Sequence, residues 1–173
     1  VFCDNASPSI TDNRIIFNLN YPFCSKVWNL GGGICCRNGS EPVIVGNTIK
    51  WNTAKYGGGI GSFESSPVID NNIISENVSF HDGTKAGYGG GISIIGKGDV
   101  VITNNTVSDN TGDFGYGIYA SFSTGILNVT IQDNFVGNNE GGGIRCGAET
   151  LDVKNNTVSK NIGYGIECYG KGT

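Results

Sequence analysis

Six copies of one motif, N-x-[IV]-x-x-N, constrain what this chain can fold into. They stand at Asn13-Ile15-Asn18, Asn47-Ile49-Asn52, Asn72-Ile74-Asn77, Asn105-Val107-Asn110, Asn134-Val136-Asn139 and Asn156-Val158-Asn161. An apolar β-former precedes each first asparagine by three residues: Ile10, Ile44, Ile69, Ile102, Ile131 and Val153. A glycine cluster follows each copy and ends in Ile34, Ile60, Ile92, Ile118, Ile144 or Ile166. Self-similarity at such a period is the mark of a solenoid, in which no single unit buries its own apolar face. Each unit holds three segments with one apolar anchor apiece, bounded by Asn and Gly and too short for helices.

Successive glycine-cluster isoleucines are 26, 32, 26, 26 and 22 residues apart. The shortest step is close to the minimum that circles a three-sided coil, and the longer ones carry insertions near 18–30, 80–86 and 122–128. The prediction is an all-β chain, a right-handed parallel β-helix of about six three-sided coils forming a single domain over 1–173. Coils about 4.8 Å apart stack identical positions into columns. The hand follows from the strong preference of parallel β crossovers for right-handed connection. The asparagines form two ladders, one of Asn13, Asn47, Asn72, Asn105, Asn134 and Asn156, the other of Asn18, Asn52, Asn77, Asn110, Asn139 and Asn161. Each is expected to take the left-handed corner conformation and to relay amide hydrogen bonds from coil to coil.

Composition narrows the function. A net charge of −4 with 11 Lys plus Arg leaves no basic stripe, so nucleic acid is not an expected partner. No run approaches the roughly 18 apolar residues that span a bilayer. The chain starts at Val1 with neither a methionine nor a signal-like segment, which reads as a processed product or a piece of something longer. Six cysteines, Cys3, Cys24, Cys35, Cys36, Cys146 and Cys168, lack the C-x-x-C spacing of zinc sites; disulfides in a secreted, extracellular or cell-surface setting are expected, with no metal and no cofactor. N-x-S/T sequons stand at Asn5, Asn38, Asn77, Asn104, Asn128 and Asn155, with glycans expected on outward ones.

The runs Pro67-Val68-Ile69-Asp70-Asn71-Asn72-Ile73-Ile74 and Tyr88-Gly89-Gly90-Gly91-Ile92 resemble the right-handed parallel β-helix repeat superfamily, the pectate-lyase-like group, and more specifically a non-catalytic surface or extracellular member. The resemblance covers nearly the whole chain and implies the fold. It does not imply one activity, because the superfamily holds lyases, hydrolases, epimerases, adhesins, tailspikes and surface proteins. Its pectate-cleaving members imply clustered acids for calcium and an arginine base, and its polygalacturonases three aspartates with a histidine and a basic pair. The residues before the first-ladder asparagines read Asp12, Gly46, Asn71, Asn104, Asp133 and Asn155, which puts no two carboxylates on adjacent coils. The single histidine, His81, falls in an inserted loop beside Asp82 and receives no role. An enzyme would require Glu64, Glu76, Asp82 and Asp113 to converge in one cleft; no catalytic site is expected. Tyr56, Tyr88 and Phe114 fall on consecutive coils, either as a sugar-stacking surface or, the favoured reading, as rings that stack on one another. The outward residues beside the middle anchors, such as Arg14/Ile16 and Phe135/Gly137, are too irregular for ice binding.

Val1-Phe2-Cys3 aligns with Ile34-Cys35-Cys36, and Gly165-Ile166-Glu167-Cys168 is a third segment, so both ends lie inside a coil and no cap is evident. The leading expectation is a secreted structural subunit that self-assembles head to tail into an extracellular or cell-surface filament. The alternatives are a carbohydrate-binding or polysaccharide-cleaving β-helix, with polysaccharide or covalent glycans as partners, and a fragment of a larger surface adhesin. In the frame set by the glycine corners, Cys3, Cys36, Cys146 and Cys168 share one position, which predicts Cys3 to Cys36 and Cys146 to Cys168 between adjacent coils. Cys35 points outward by alternation, leaving Cys24 to Cys35 as the third bond. The rival is an intermolecular bond from Cys168 to Cys3 of the next subunit.

Overall fold

The computed structural model describes residues 1–20, 29–80, 86–114, 116–121 and 127–170. Most of each insertion (21–28, 81–85, 122–126) lies outside the described residues, and so do Cys24, His81 and Asp82. With them go the predicted Cys24 to Cys35 bond and the Asp82 corner of the hypothetical acidic cleft. Every described strand pairs in parallel, and the stack is a right-handed parallel β-helix.

Three long ladders follow from the three anchors. The first face stacks Ser9–Thr11, Val43–Val45, Val68–Asp70, Gly98–Thr103, Leu127–Gln132 and Thr150–Lys154. The second stacks Arg14–Ile16, Thr48–Lys50, Ile73–Ser75, Thr106–Ser108, Phe135–Gly137 and Thr157–Ser159. The third has seven strands, Phe2–Asp4, Ile34–Arg37, Ile60–Phe63, Ile92–Ile95, Ile118–Ser121, Ile144–Gly147 and Ile166–Tyr169. The register matches anchor to anchor, as in Ile44↔Ile69, Ile69↔Ile102 and Ile102↔Ile131. Ile44, Ile69, Ile102 and Ile131 are fully buried, as are Ile49, Ile74, Val107 and Val136 on the second face and Ile34 through Ile144 on the third. Burying each such side chain stabilises by about 1.5 to 3 kcal/mol. In the last described coil Val153 and Val158 are half-buried and Ile166 is 48% exposed, since only one neighbouring coil covers them.

The coil is not strictly three-sided. Thr53–Ala54, Val78–Ser79 and Thr111–Gly112 form a short fourth ladder between the second and third faces. The chain needs a few extended residues to travel from the second asparagine to the glycine cluster, and stacked coils let these pair in register.

The left-handed corner residues differ from expectation. Positive φ belongs to Asp12, Gly46, Asn71, Asn104, Asp133 and Asn155, and at the next corner to Phe17, Trp51, Glu76, Asp109, Asn138 and Lys160. Each stands one residue before a ladder asparagine, which is itself not left-handed. The left-handed residue makes the bend and keeps its own side chain outside; the asparagine after it turns inward, where its amide meets its ladder neighbours. The third face ends the same way, at Asn5, Asn38 and Glu64.

Glycine opens the remaining corner. Gly57 has φ +68, and a Cβ there would meet the carbonyl of Ile60. A Cβ on Gly59 would lie 2.9 Å from the Ile74 side chain and 3.1 Å from Asn77 Nδ2, so this glycine leaves room for the second asparagine ladder.

Candidate functional site

The ladders are continuous polar relays inside the coil. Asn72 Oδ1 accepts both the backbone N–H of Asn47 (2.9 Å) and its Nδ2 (3.0 Å), while Asn47 Nδ2 also donates to the Ile10 carbonyl of the preceding coil (2.8 Å). The pattern runs through Asn13, Asn47, Asn72, Asn105, Asn134 and Asn156. It repeats through Asn18, Asn52, Asn77, Asn110, Asn139 and Asn161. Every bond between ladder asparagines is donated toward the C-terminal end of the stack, while from Asn47 and Asn52 onward the other amide hydrogen goes to a carbonyl of the coil before it. A buried polar group survives only when it is partnered, and here each asparagine satisfies its neighbours on both sides.

Outside the coil, the third face carries an aromatic and charged patch that the motif does not reveal. Tyr119, Arg145 and Glu167 are register partners on adjacent strands. Arg145 Nε lies 3.4 Å from Glu167 Oε2, which also accepts the Tyr116 hydroxyl at 3.0 Å. The guanidinium lies 5.7 Å from the Tyr116 ring centroid and 5.4 Å from that of Tyr169, a cation–π arrangement. The Tyr169 hydroxyl donates to Ser121 Oγ at 3.3 Å. Burial pushes the Tyr119 hydroxyl up to about 12, and burial with the Glu167 hydrogen bond raises Tyr116. Burial works against the charge on Arg145, but Glu167 and the tyrosines outweigh it and hold the guanidinium charged. A carboxylate held by a guanidinium and a phenol is suited to orientation and recognition.

The predicted aromatic residues form a ladder. Tyr56, Tyr88 and Phe114 pair in register, with near-parallel rings 6.0 Å and 5.2 Å apart, and Tyr88 also meets Tyr119 at 4.8 Å. Tyr56 is buried and Phe114 is 41% exposed. A second stacked pair, Phe17 and Trp51, has its centroids 4.7 Å apart at the left-handed corner. Trp51 Nε1 donates to Glu76 Oε2 at 2.6 Å, and Lys50 Nζ is 3.5 Å from Glu76 Oε1. Phe17 is 70% exposed.

Stacked parallel coils, inward aliphatic columns and glycine corners are what one family describes: the model of the right handed beta helix region matches residues 1–173. The chain belongs to the right-handed β-helix family. No curated protein and no solved structure matches it.

On this β-helix three of the four carboxylates named for a cleft are described, and these three stand at separate places. Glu64 closes the third face, Glu76 is engaged by Trp51 and Lys50 at another corner, and Asp113 follows the fourth ladder. No three His, Cys, Asp or Glu side chains group to hold a metal ion among the described residues, and no described helix is long and apolar enough to cross a membrane.

Among the sequons of the β-helix, Asn5, Asn38, Asn104 and Asn155 are exposed and Asn128 is partly so. Asn104 Nδ2 donates to Asp70 at 2.8 Å, Asn128 Nδ2 to Asp99 at 2.6 Å, and Asn38 Nδ2 to Asp4 at 2.6 Å. Asn77 is the exception. It is fully buried with its amide inside the second ladder, so a glycan there is incompatible with the coil.

The cysteines fall in the predicted frame. Cys3↔Cys36 and Cys146↔Cys168 are register partners, with no bond drawn between the described cysteines in this structure. Cys35 faces the opposite side of its strand, under a cluster with Leu30, Tyr56 and Ile95, where burial pushes its thiol up to about 11.

Proposed function

We propose that this chain is a structural β-solenoid of a secreted, extracellular or cell-surface filament, in which successive bodies stack head to tail. The direction of the asparagine ladders supports this reading most. Because every bond between ladder asparagines runs the same way, bodies stacked in the same sense set ladder acceptors toward ladder donors. A body stacked in the opposite sense sets acceptor on acceptor or donor on donor. Electron microscopy of the protein isolated from its native source tests the proposal. Unbranched filaments are expected. Isolated particles at all concentrations overturn it.

A second reading, saccharide binding, is supported by the patch of Tyr116, Tyr119, Arg145, Glu167 and Tyr169. Rings stack on sugar faces, and a charged pair recognises hydroxyls or carboxylates. Affinity electrophoresis in gels containing acidic polysaccharide tests it: retardation that Arg145→Ala abolishes supports binding, and unretarded migration of the parent chain rejects it.

A further inference from the structure

The inward column of the third face reads Cys3, Cys36, Ser62, Ile94, Ala120, Cys146 and Cys168 from strand to strand. Its cysteines therefore fall as two pairs of direct neighbours, separated by three coils whose residues at this position have no thiol. Adjacent coils are about 4.8 Å apart, inside the 4.4 to 6.8 Å Cα range that a disulfide accepts. Within each pair the two cysteines stand directly opposite each other in register, Cys3 with Cys36 and Cys146 with Cys168. Alternation keeps Cys35 out of this column, so its sequence neighbour Cys36 is directed to Cys3.

We propose that both pairs are oxidised in the mature protein, Cys3 to Cys36 and Cys146 to Cys168, each bond a covalent staple between neighbouring coils. The oxidant required is a disulfide of the kind that oxidising compartments supply, such as an oxidoreductase disulfide or glutathione disulfide. One protein thiolate attacks it, forming a mixed disulfide and releasing the first thiol. The partner thiolate then displaces the second thiol as the intramolecular bond forms. The protein dithiol loses two protons and two electrons, and the oxidant leaves as two thiols.

In the first pair the neighbouring Cys36 thiol draws Cys3 down to about 7, whereas Cys36 is raised by its contact with Cys3 and by burial. Burial raises Cys146. Cys3, Cys36 and Cys146 have essentially no exposed surface, whereas Cys168 is exposed. A protein oxidant does not reach the buried sulfurs of a finished coil, so the Cys3 to Cys36 bond forms as the first coils close and is sealed afterwards. In the unstacked chain the Cys146 to Cys168 bond is open to reductant at one sulfur.

The test uses the full chain secreted into an oxidising compartment. It is alkylated in denaturant without reductant, digested, and mapped for linked peptides by mass spectrometry. Linked peptides pairing Cys3 with Cys36 and Cys146 with Cys168 are expected. Treatment of the folded chain with a phosphine reductant should release the Cys146 to Cys168 pair for alkylation while the Cys3 to Cys36 peptide stays linked. A Cys146→Ser/Cys168→Ser variant should retain the first linkage, which keeps that pairing testable if Cys3 variants do not fold. Alkylation of the four cysteines without reductant overturns the proposal. So does any other pairing, including a covalent ladder on non-reducing electrophoresis that joins Cys168 of one copy to Cys3 of another.

Discussion

Replacing Asn77 with alanine isolates what an asparagine ladder contributes. Asn77 Oδ1 accepts the Asn52 backbone N–H at 3.0 Å and Asn52 Nδ2 at 3.1 Å, while its Nδ2 donates to the Ile49 carbonyl at 2.9 Å and to Asn110 Oδ1 at 3.0 Å. After the substitution Asn52 Nδ2 keeps the Ile15 carbonyl, and Asn110 Oδ1 keeps the Asn77 backbone N–H. The buried backbone N–H of Asn52 is left without a partner. Stranding such a group costs about 1 to 3 kcal/mol, and each of the other lost bonds contributes about 0.5 to 1.5, so the total is about 5 kcal/mol. Asn13→Ala is the control, because Asn13 is exposed and loses only its bonds to Thr11 O and Asn47 Oδ1; about 1 kcal/mol is expected. Urea unfolding followed by far-ultraviolet circular dichroism, in a host that does not glycosylate, should show the Asn77→Ala midpoint falling by about 2 M. Asn77→Asp keeps the shape and the accepting oxygen but turns a second oxygen toward Asn110 Oδ1 and the Ile49 carbonyl, and should be no more stable than Asn77→Ala. If Asn77→Ala shifts the midpoint no further than Asn13→Ala, or Asn77→Asp is neutral, the ladder is packing rather than a hydrogen-bond relay.

Ile102→Asp places a carboxylate in the middle of the first column, where Ile102 is fully buried between Ile69 and Ile131; loss of the β spectrum of the central coils is expected, and an unchanged spectrum contradicts the inward assignment. Expressed in a glycosylating host, Asn38, Asn104 and Asn128 should carry glycans and Asn77 none, as glycopeptide mapping will show. The Tyr119 hydroxyl, raised from 10 to about 12 mainly by burial, binds its proton more tightly in the folded chain than in the unfolded one. Its contribution is therefore intact below pH 10 and lost as pH rises from 10 to 12, so Tyr119→Phe should flatten the fall in stability over that interval.

The inward half of the structure was legible because a solenoid repeats its core positions, so Ile44, Ile69, Ile102 and Ile131 announce one another. The corner conformation was misplaced by one residue for an identifiable reason. Doublets such as Asn71-Asn72, Asn104-Asn105 and Asn155-Asn156 offer two residues that tolerate positive φ, and residue type alone does not choose between them. Gly46 and Asp12, standing before single ladder asparagines, carried the decisive signal. The fourth ladder escaped because two-residue strands such as Thr53–Ala54 have no periodicity to read. The patch around Arg145 escaped because outward columns vary: the residue after each glycine-cluster isoleucine reads Cys35, Gly61, Ser93, Tyr119, Arg145 and Glu167. Only the last three make a chemical pattern, and it appears once they are written as a column.

That contrast locates where specificity resides on this β-helix. Inward positions are repeated because every coil must present the same apolar and amide surface to the next, and a deviation there disrupts two coils at once. Outward positions answer only to solvent and to their immediate neighbours in the ladder. A departure from mere solvation there, such as a guanidinium set between two phenol rings and a carboxylate, therefore carries more functional information than the six motif copies together. The first left-handed corner column is outward too, but its charges are dispersed, with Asp12 and Asp133 separated by three intervening coils. Arg145 and Glu167, by contrast, lie on adjacent strands within an aromatic enclosure. A binding function of this chain would lie there, on the C-terminal half of the third face, while the asparagine ladders hold that face at a fixed spacing.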